Sequence, residues 1–432
     1  MLEYAVGDLF IIAIFVIGYF AIIFEHSVKV NKAATALVLC VLSWAILFLT
    51  QGQDLSEHMH ILNEHLSTTS QIIFFLLGAL TIVELVDSHQ GFKVITDFIH
   101  TKSKKSLLWV LGLATFFLSS ILDNLTTTVV VVTLLRKFLS DRNERMIFGS
   151  MAVIASNAGG AWSPIGDVTT TMLWIKEAIS PSGILSSLFL PSFASLICAL
   201  LLIEKSFPKA EFSLPFTRPP ISKEKLEPGA RLVFYLSLSG LIFVPIFKML
   251  TDLPPFMGIL LVLGILWIVT DLMHQKFEHR QHLLLQHTLT RIDTSGVLFF
   301  FGILLCVGSL DALGFLKDLA GWLDQVVHHR LSFLAFIIGI ISSIVDNVPL
   351  VAAVMTMFDL QTYPMDSPFW QMLAFTAGTG GSIFIIGSAA GIALMGLEKV
   401  DFVWYVKRIS GIAFLSYLSG FAIYLLQTAL LG

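Results

Sequence analysis

Ten apolar runs of membrane-spanning length constrain this chain before any motif does. They lie near residues 7–24, 33–50, 70–87, 146–179, 184–204, 231–250, 256–273, 294–311, 370–397 and 408–430. A helix needs about 20 apolar residues to cross a hydrocarbon core roughly 30 Å thick. The runs are long and continuous, unlike the alternating ten-residue strands of a membrane barrel, so the spans are expected to be helices. Composition agrees: 56% of the 432 residues are hydrophobic, 36 are Phe, and only 13% are charged, against roughly a quarter in soluble domains. There is no basic stripe for nucleic acid, and the net charge of −4 points to no partner.

Two further apolar stretches, about 106–138 and 331–360, are too long for one span, and an Asp-Asn pair interrupts each near its middle. A re-entrant helical hairpin with polar residues at its turn fits them, provided the turn faces protein or water. Loop charges test that reading. Lys29, Lys32, Lys93, Lys102, Lys104, Lys105, Arg136, Lys137, Arg142 and Arg145 flank the first-half segments. Lys276, Arg280, Arg291, Lys399, Lys407 and Arg408 flank the second-half ones. Loops 51–69, 180–183, 251–255 and 361–369 hold no Lys or Arg. With 106–138 as a hairpin, every strongly basic loop falls on the cytoplasmic side and both termini lie outside. Segment 312–330 fits least well, because Lys317 and Arg330 then face out. The N-terminal segment lacks the basic n-region of a signal peptide and is not an Arg- and Ser-rich transit sequence. A bacterial cytoplasmic (inner) membrane is therefore expected.

The polar segment 205–230, with Pro208, Pro215, Pro219, Pro220 and Pro228, reads as a cytoplasmic linker between residues 1–204 and 231–432. The two sides are alike. SSILDNLTTTVVVV (119–132) matches SSIVDNVPLVAAVM (342–355), and NAGGAWSPIGD (157–167) matches GTGGSIFIIGS (378–388). FFLLGALTIVELVDSHQGF (74–92) likewise matches FFFGILLCVGSLDALGF (299–315). Asp123 and Asp346 are 223 residues apart (346 − 123) and Gly159 and Gly380 are 221 apart (380 − 159), so the register holds. By the loop charges, matching spans run in opposite directions, which makes the repeat inverted: five transmembrane helices plus one re-entrant hairpin in each half. Inverted repeats of this kind are how many secondary transporters obtain two states open to opposite sides.

Asp123 is the sole ionisable residue between Ser106 and Leu135, and Asp346 is alone between Leu331 and Phe358. A charge at membrane depth costs about 2.5–3.5 kcal/mol on insertion scales, which makes such residues functional candidates. An Asp at a hairpin turn also serves as a helix N-cap, and capping is compatible with ion binding. The second group is Asn157, Gly159, Gly160, Ser163, Pro164, Gly166, Asp167, Thr169, Thr170 and Thr171. Gly-Gly and Ser-Pro break the span at 146–179 and free backbone carbonyls, while carboxamide and hydroxyl oxygens add hard ligands for Na⁺ or Li⁺. In 370–397 the matching break carries Thr379, Ser382 and Ser388 but no acid. Isolated glycines would more simply mark close helix packing. Carboxylates in apolar surroundings hold either a proton or a metal ion near neutral pH, and this competition with alternating access suffices for cation/proton exchange. No Lys or Arg accompanies these segments in sequence. Glu84, late in the third span, is a candidate proton relay or an end-of-span residue. Asp87, Asp311 and the loop histidines His58, His60, His65, His274, His279, His282 and His287 are expected to be solvated. Cys40, Cys198 and Cys306 all sit in apolar runs and are expected to be buried thiols without disulfides. Segments 91–105 and 313–328 read as interfacial amphipathic helices.

At SSILDNLTTT, SNAGGAWSPIGDVTTTMLW, SSIVDNVPL and GTGGSIFIIGSAAG the chain resembles the NhaD-type sodium/proton antiporters of the ion-transporter superfamily, and the resemblance covers nearly its whole length. It implies a scaffold domain and a mobile transport (elevator) domain with two hairpins, usually in a homodimer. It also implies an ion and proton path lined by Asp123, Asn124, Asn157, Asp167, Thr169, Thr170, Ser342, Asn347 and Ser382. To these the residue reading adds Asp346, and it places Na⁺ at Asp123, Asn124, Asn157 and Asp167. Dicarboxylate carriers of that superfamily carry Ser-Asn-Thr at the hairpin tips, whereas this chain has Asp-Asn-Leu and Asp-Asn-Val, which favours a cation. The expectation is transport rather than catalysis: Na⁺ or Li⁺ against H⁺ across the bilayer, with no cofactor. An anion permease for arsenite, citrate or a dicarboxylate is the alternative. The first half, with Asp167 and its threonines, is expected to supply most ligands.

Overall fold

The computed structural model describes residues 6–23, 25, 29–50, 55–96, 103–206, 226–326 and 330–431. All regular structure among them is helical, as apolar segments without water must satisfy their backbone internally. The first half consists of α1 (Val6–Ile23), α2 (Lys32–Thr50), α3 (Leu55–Ser88), α4 (Lys104–Ser119), α5 (Asn124–Phe138), α6 (Arg142–Gly160), α7 (Val168–Ile175) and α8 (Pro181–Ser206). The second consists of α9 (Ala230–Thr251), α10 (Pro255–His274), α11 (Thr294–Ala312), α12 (Phe315–Val326), α13 (Leu331–Ile341), α14 (Asn347–Met357), α15 (Pro368–Gly380), α16 (Ala389–Glu398) and α17 (Gly411–Leu431). A helical turn Phe402–Tyr405 and a π-turn Val406–Ser410 lead into α17. Among the described residues, seven helices are long and apolar enough to cross a membrane. Most of the expected linker 205–230 lies outside the described residues, as do 97–102 of the first amphipathic segment and 327–329.

Both Asp-Asn stretches break as expected: α4 stops at Ser119 and α5 starts at Asn124, while α13 stops at Ile341 and α14 starts at Asn347. The spans 146–179 and 370–397 are likewise each two helices, interrupted over 161–167 and 381–388. Glycine is what lets each hairpin reach its broken helix. A Cβ on Gly159 would stand 2.2 Å from the Phe116 carbonyl oxygen, and one on Gly380 would stand 2.0 Å from that of Gly339. Ser119 Oγ donates to the Ser156 carbonyl (2.7 Å) and Ser342 Oγ to that of Ala377 (2.8 Å), fixing the same two approaches. Close packing, the simpler reading of these glycines, therefore holds beside the helix breaks.

α1, α2 and α11 form most of a second core, with Ile11, Ala36, Leu47, Phe299 and Cys306 buried in it and Ile61 and Leu62 of α3 and Ala353 and Met357 of α14 packed against it. Trp44 Nε1 donates to the Leu305 carbonyl there (2.8 Å), and Gly302 lets α11 touch the backbone of α2 at Ala36. The hairpins and broken helices belong to the larger core, which includes Phe116, Ala155, Trp174, Phe375 and Tyr405.

Four expectations change. Residues 51–69 are not a plain loop, because α3 begins at Leu55; nothing from 55 to 77 is Gly or Pro, so a polar overhang continues the span. His65 and Asp311 are paired rather than solvated, at 3.0 Å. His274 is fully buried and meets His89, Nε2 to Nε2, at 3.1 Å, since both stand at helix ends that pack together. The His89 Nδ1 lies 2.8 Å from the Leu85 carbonyl oxygen, and burial holds this imidazole below its usual pKa. The three cysteines are free, and Cys198 is half-buried rather than buried.

Candidate ion-binding site

Three helix starts, those of α5, α7 and α14, converge on Asp167. It is the N-cap of α7, where its Oδ1 accepts from the Thr169 backbone N–H (3.0 Å) and hydroxyl (3.1 Å). Its Oδ2 accepts from Asn124 Nδ2 at the first hairpin tip (2.8 Å) and from Asn347 Nδ2 at the second (3.4 Å). Asn124 Nδ2 also reaches Asn157 Oδ1 in α6 (3.0 Å). Asn157 Nδ2 in turn donates to Ser382 Oγ (2.8 Å) and Ser388 Oγ (3.0 Å) in the second break. One connected network of buried side chains thus joins both tips and both breaks. A carboxylate at this depth is tolerable because donors surround it.

Asn124, Asn157, Asp167, Thr169, Asn347 and Ser382 are therefore brought together as the sequence suggested. Asp123 lies beside them rather than among them. As the N-cap of α5 its carboxylate accepts from the Thr126 backbone N–H (2.8 Å) and hydroxyl (2.6 Å), and it lines a cavity of about 90 Å³ together with Asn124, Asp167 and Asp293. Thr170 and Ser342 spend their hydroxyls on backbone, at the Asp167 carbonyl (2.9 Å) and the Ala377 carbonyl. Asp346 accepts from the Val348 N–H (3.2 Å) and faces Lys32, whose Nζ is 3.7 Å from its Oδ2. Glu84 pairs with Arg291 at 3.5 Å rather than with a residue of the network.

Sequence reasoning missed Lys32 at the second tip, and proximity across 314 residues (346 − 32) leaves no local signal. It also passed over Asp293, which caps α11 through the Gly296 N–H (3.0 Å) and lines the small cavity; its Asp-Thr-Ser-Gly start was the available clue. Ser388 was visible as the counterpart of Asp167 in the aligned breaks.

Two larger cavities flank the network. One, about 710 Å³, is lined by Glu84, Asp87, Thr126, Lys137, Arg291 and Asp293, and so reaches the residue that hydrogen-bonds Asp123. The other, about 780 Å³, is lined by Glu64, His65, Lys176, Asp311, Thr356 and Asp359, at the far end of α14 from Asp346. Glu64 and Glu84 are 20 residues apart on α3, about 30 Å along a helix.

The chemistry is that of oxygen ligands around carboxylates, with amides able to turn either an N–H or an oxygen inward. The profile of the citrate transporter family matches residues 19–380. Sodium/proton antiporter 1 of Arabidopsis thaliana is 50% identical over 419 residues, spanning 97% of this chain and 72% of that protein. Sodium/proton antiporter 2 of the same plant is 49% identical, covering 95% and 98%. The Na⁺/H⁺ antiporter NhaD of Alkalimonas amylolytica is 28% identical over 453 residues, covering 96% and 89%.

Proposed function

From the premise that the chain belongs to the citrate transporter family, among its NhaD-type sodium/proton antiporters, we propose that it exchanges Na⁺, and also Li⁺, for H⁺ by alternating access at Asp123 and Asp167. The observation that carries this reading is the buried network in which both hairpin tips and the first helix break meet at the Asp167 carboxylate and Asn157 joins them to the second break. Asp167 accepts from donors on both of its oxygens. Rotation of the Asn124 and Asn347 amides would exchange those N–H groups for oxygens and free the carboxylate for a cation. Deprotonation of the carboxylates on one side leaves them charged, and Na⁺ then binds in place of the proton. On the other side a proton replaces Na⁺. A charged, unoccupied site stays where it is, because moving an uncompensated carboxylate through apolar surroundings is costly. That penalty couples the two fluxes.

The cavities support alternating access. The one that reaches Thr126 carries Lys137 and Arg291, from basic loops that the positive-inside rule assigns to the cytoplasm, so we read this arrangement as open inward. The recurrence of the Phe116–Gly159 approach at Gly339–Gly380 supports a repeat, and the loop charges support its inversion. The second core, built mostly by α1, α2 and α11 and packed against α14, supports a scaffold against which the hairpins move. The homodimer is carried forward from the resemblance.

Purified protein in liposomes with an imposed proton gradient tests the exchange. Adding Na⁺ should dissipate the gradient, and the Na⁺ KM should rise as pH falls because protons compete. No response between neutral and alkaline pH overturns the reading. D167N and D123N should each abolish exchange, and a fully active D123N would strip that residue of its role. The family profile is that of citrate transporters, so the second reading is an anion permease. Uptake of labelled citrate without Na⁺/H⁺ exchange would favour it. The site argues against that reading, because the one ammonium at a hairpin tip, Lys32, already faces a carboxylate.

A further inference from the structure

We propose that Lys32 is a built-in counter-cation for Asp346, a specificity-determining residue that keeps the transported Na⁺ on the Asp123–Asp167 side of the site. This deepens the exchange reading and rests on it.

Lys32 opens α2, and its side chain is about three-quarters buried, with 27% exposed; that of Asp346 is 19% exposed. The ammonium lies 3.7 Å from Asp346 Oδ2 and 4.5 Å above the centre of the Phe299 ring, so α2 and α11 hold it between them. The start of α2 is fixed independently. Asn31 Oδ1 accepts from the Ala33 N–H (2.8 Å) and from Ser295 Oγ in α11 (3.2 Å), and Glu25 accepts from the Lys32 N–H (3.2 Å). The lysine is therefore presented by the α1–α2–α11 body, while the aspartate belongs to a hairpin tip.

The two hairpin tips differ in one respect that bears on charge. Among the described residues neither Asp123 nor Asp167 forms an ion pair, whereas Asp346 does. The groups that face the pair are Glu25 behind the start of α2, Tyr19 of α1, and Asp167 across the site, the last two within electrostatic reach of Asp346. A fixed ammonium at Asp346 repels a second cation there and removes one negative charge from a site in which the carboxylates sense one another. Sodium is left with Asp123 and Asp167. The matched Asp-Asn pairs thereby acquire different roles: one binds the mobile ion and the other is answered by the protein.

Exchange assays on D346N, K32Q and the double variant decide the matter. D346N strips Lys32 of its partner, and the freed ammonium should raise the Na⁺ KM about tenfold with kcat within about twofold, the size of one unscreened charge nearby. Adding K32Q to D346N removes that charge and should return the KM to within about threefold of the original. Loss of a merely structural contact would not be repaired in this way. K32Q alone leaves the Asp346 carboxylate unanswered, so Na⁺ should bind more tightly and its KM should fall at least about threefold. The proposal is overturned if D346N and the double variant share one KM. It is also overturned, should D346N not fold, if K32Q leaves the Na⁺ KM unchanged. Absence of exchange in the unaltered protein would instead strike the antiport reading itself.

Discussion

At the residue scale, Asn157 is the hinge of the buried network. Its amide bridges Asn124 on one side to Ser382 and Ser388 on the other, so it links the first hairpin tip to the second break. Asn157→Ala removes three partners at once inside a dry core. We expect a loss of about 1–3 kcal/mol in stability, the usual penalty for buried polar groups left unpaired, and exchange reduced more than tenfold. Thermal unfolding in detergent and liposome exchange on the same preparation check the two effects. Retention of full exchange would remove Asn157 from the ion path. Asp167 and Thr169 were legible at this scale because Asp-x-Thr after a helix break is an N-cap pattern with spare oxygens. Lys32 was not, because only packing of α2 on α11 carries it to Asp346.

At the element scale, each hairpin sits against its broken helix with no room for a side chain at the crossing. Gly159→Val or Gly380→Val places a Cβ 2.2 or 2.0 Å from a carbonyl oxygen; the helices must part, and little folded protein should be recovered by size-exclusion chromatography. Gly396→Ala is the control: nothing lies within 4 Å of its would-be Cβ in α16, and the exchange of Gly for Ala in a helix should stabilise by about 1 kcal/mol. A second device ties elements of the two halves. Glu398 at the end of α16 accepts from Arg136 Nε of α5 (2.6 Å) and Arg145 Nε of α6 (2.9 Å). Because Glu398 is only 3% exposed while Arg136 is 47% exposed, Glu398→Gln should cost about 2 kcal/mol rather than the larger toll of a fully buried pair. A fall in melting temperature with the Na⁺ KM unchanged would assign the cluster to stability alone.

At the scale of the whole molecule, the two large cavities open at opposite ends of α3 while the carboxylates lie between them. With Cys40, Cys198 and Cys306 replaced, Thr126→Cys should react with a membrane-impermeant thiol reagent added from the cytoplasmic side, and Thr356→Cys with the same reagent from outside. Both reacting from one side would refute the assigned orientation. Added Na⁺ should slow labelling at Thr126, which hydrogen-bonds Asp123.

Sequence alone determined the helical, membrane-spanning class and where the two Asp-Asn stretches and the spans 146–179 and 370–397 break, and it singled out most residues of the polar network. Each of these is local: run length sets the spans, and Asp, Asn, Gly and Pro interrupt a helix wherever they fall in an apolar run. Only the tertiary structure decided which carboxylate is answered by a cation, and that His65 and His274 have partners rather than water. These depend on contacts between residues hundreds of positions apart. A charge pattern read along the chain records which groups need partners, but distance in space alone records which partners they receive.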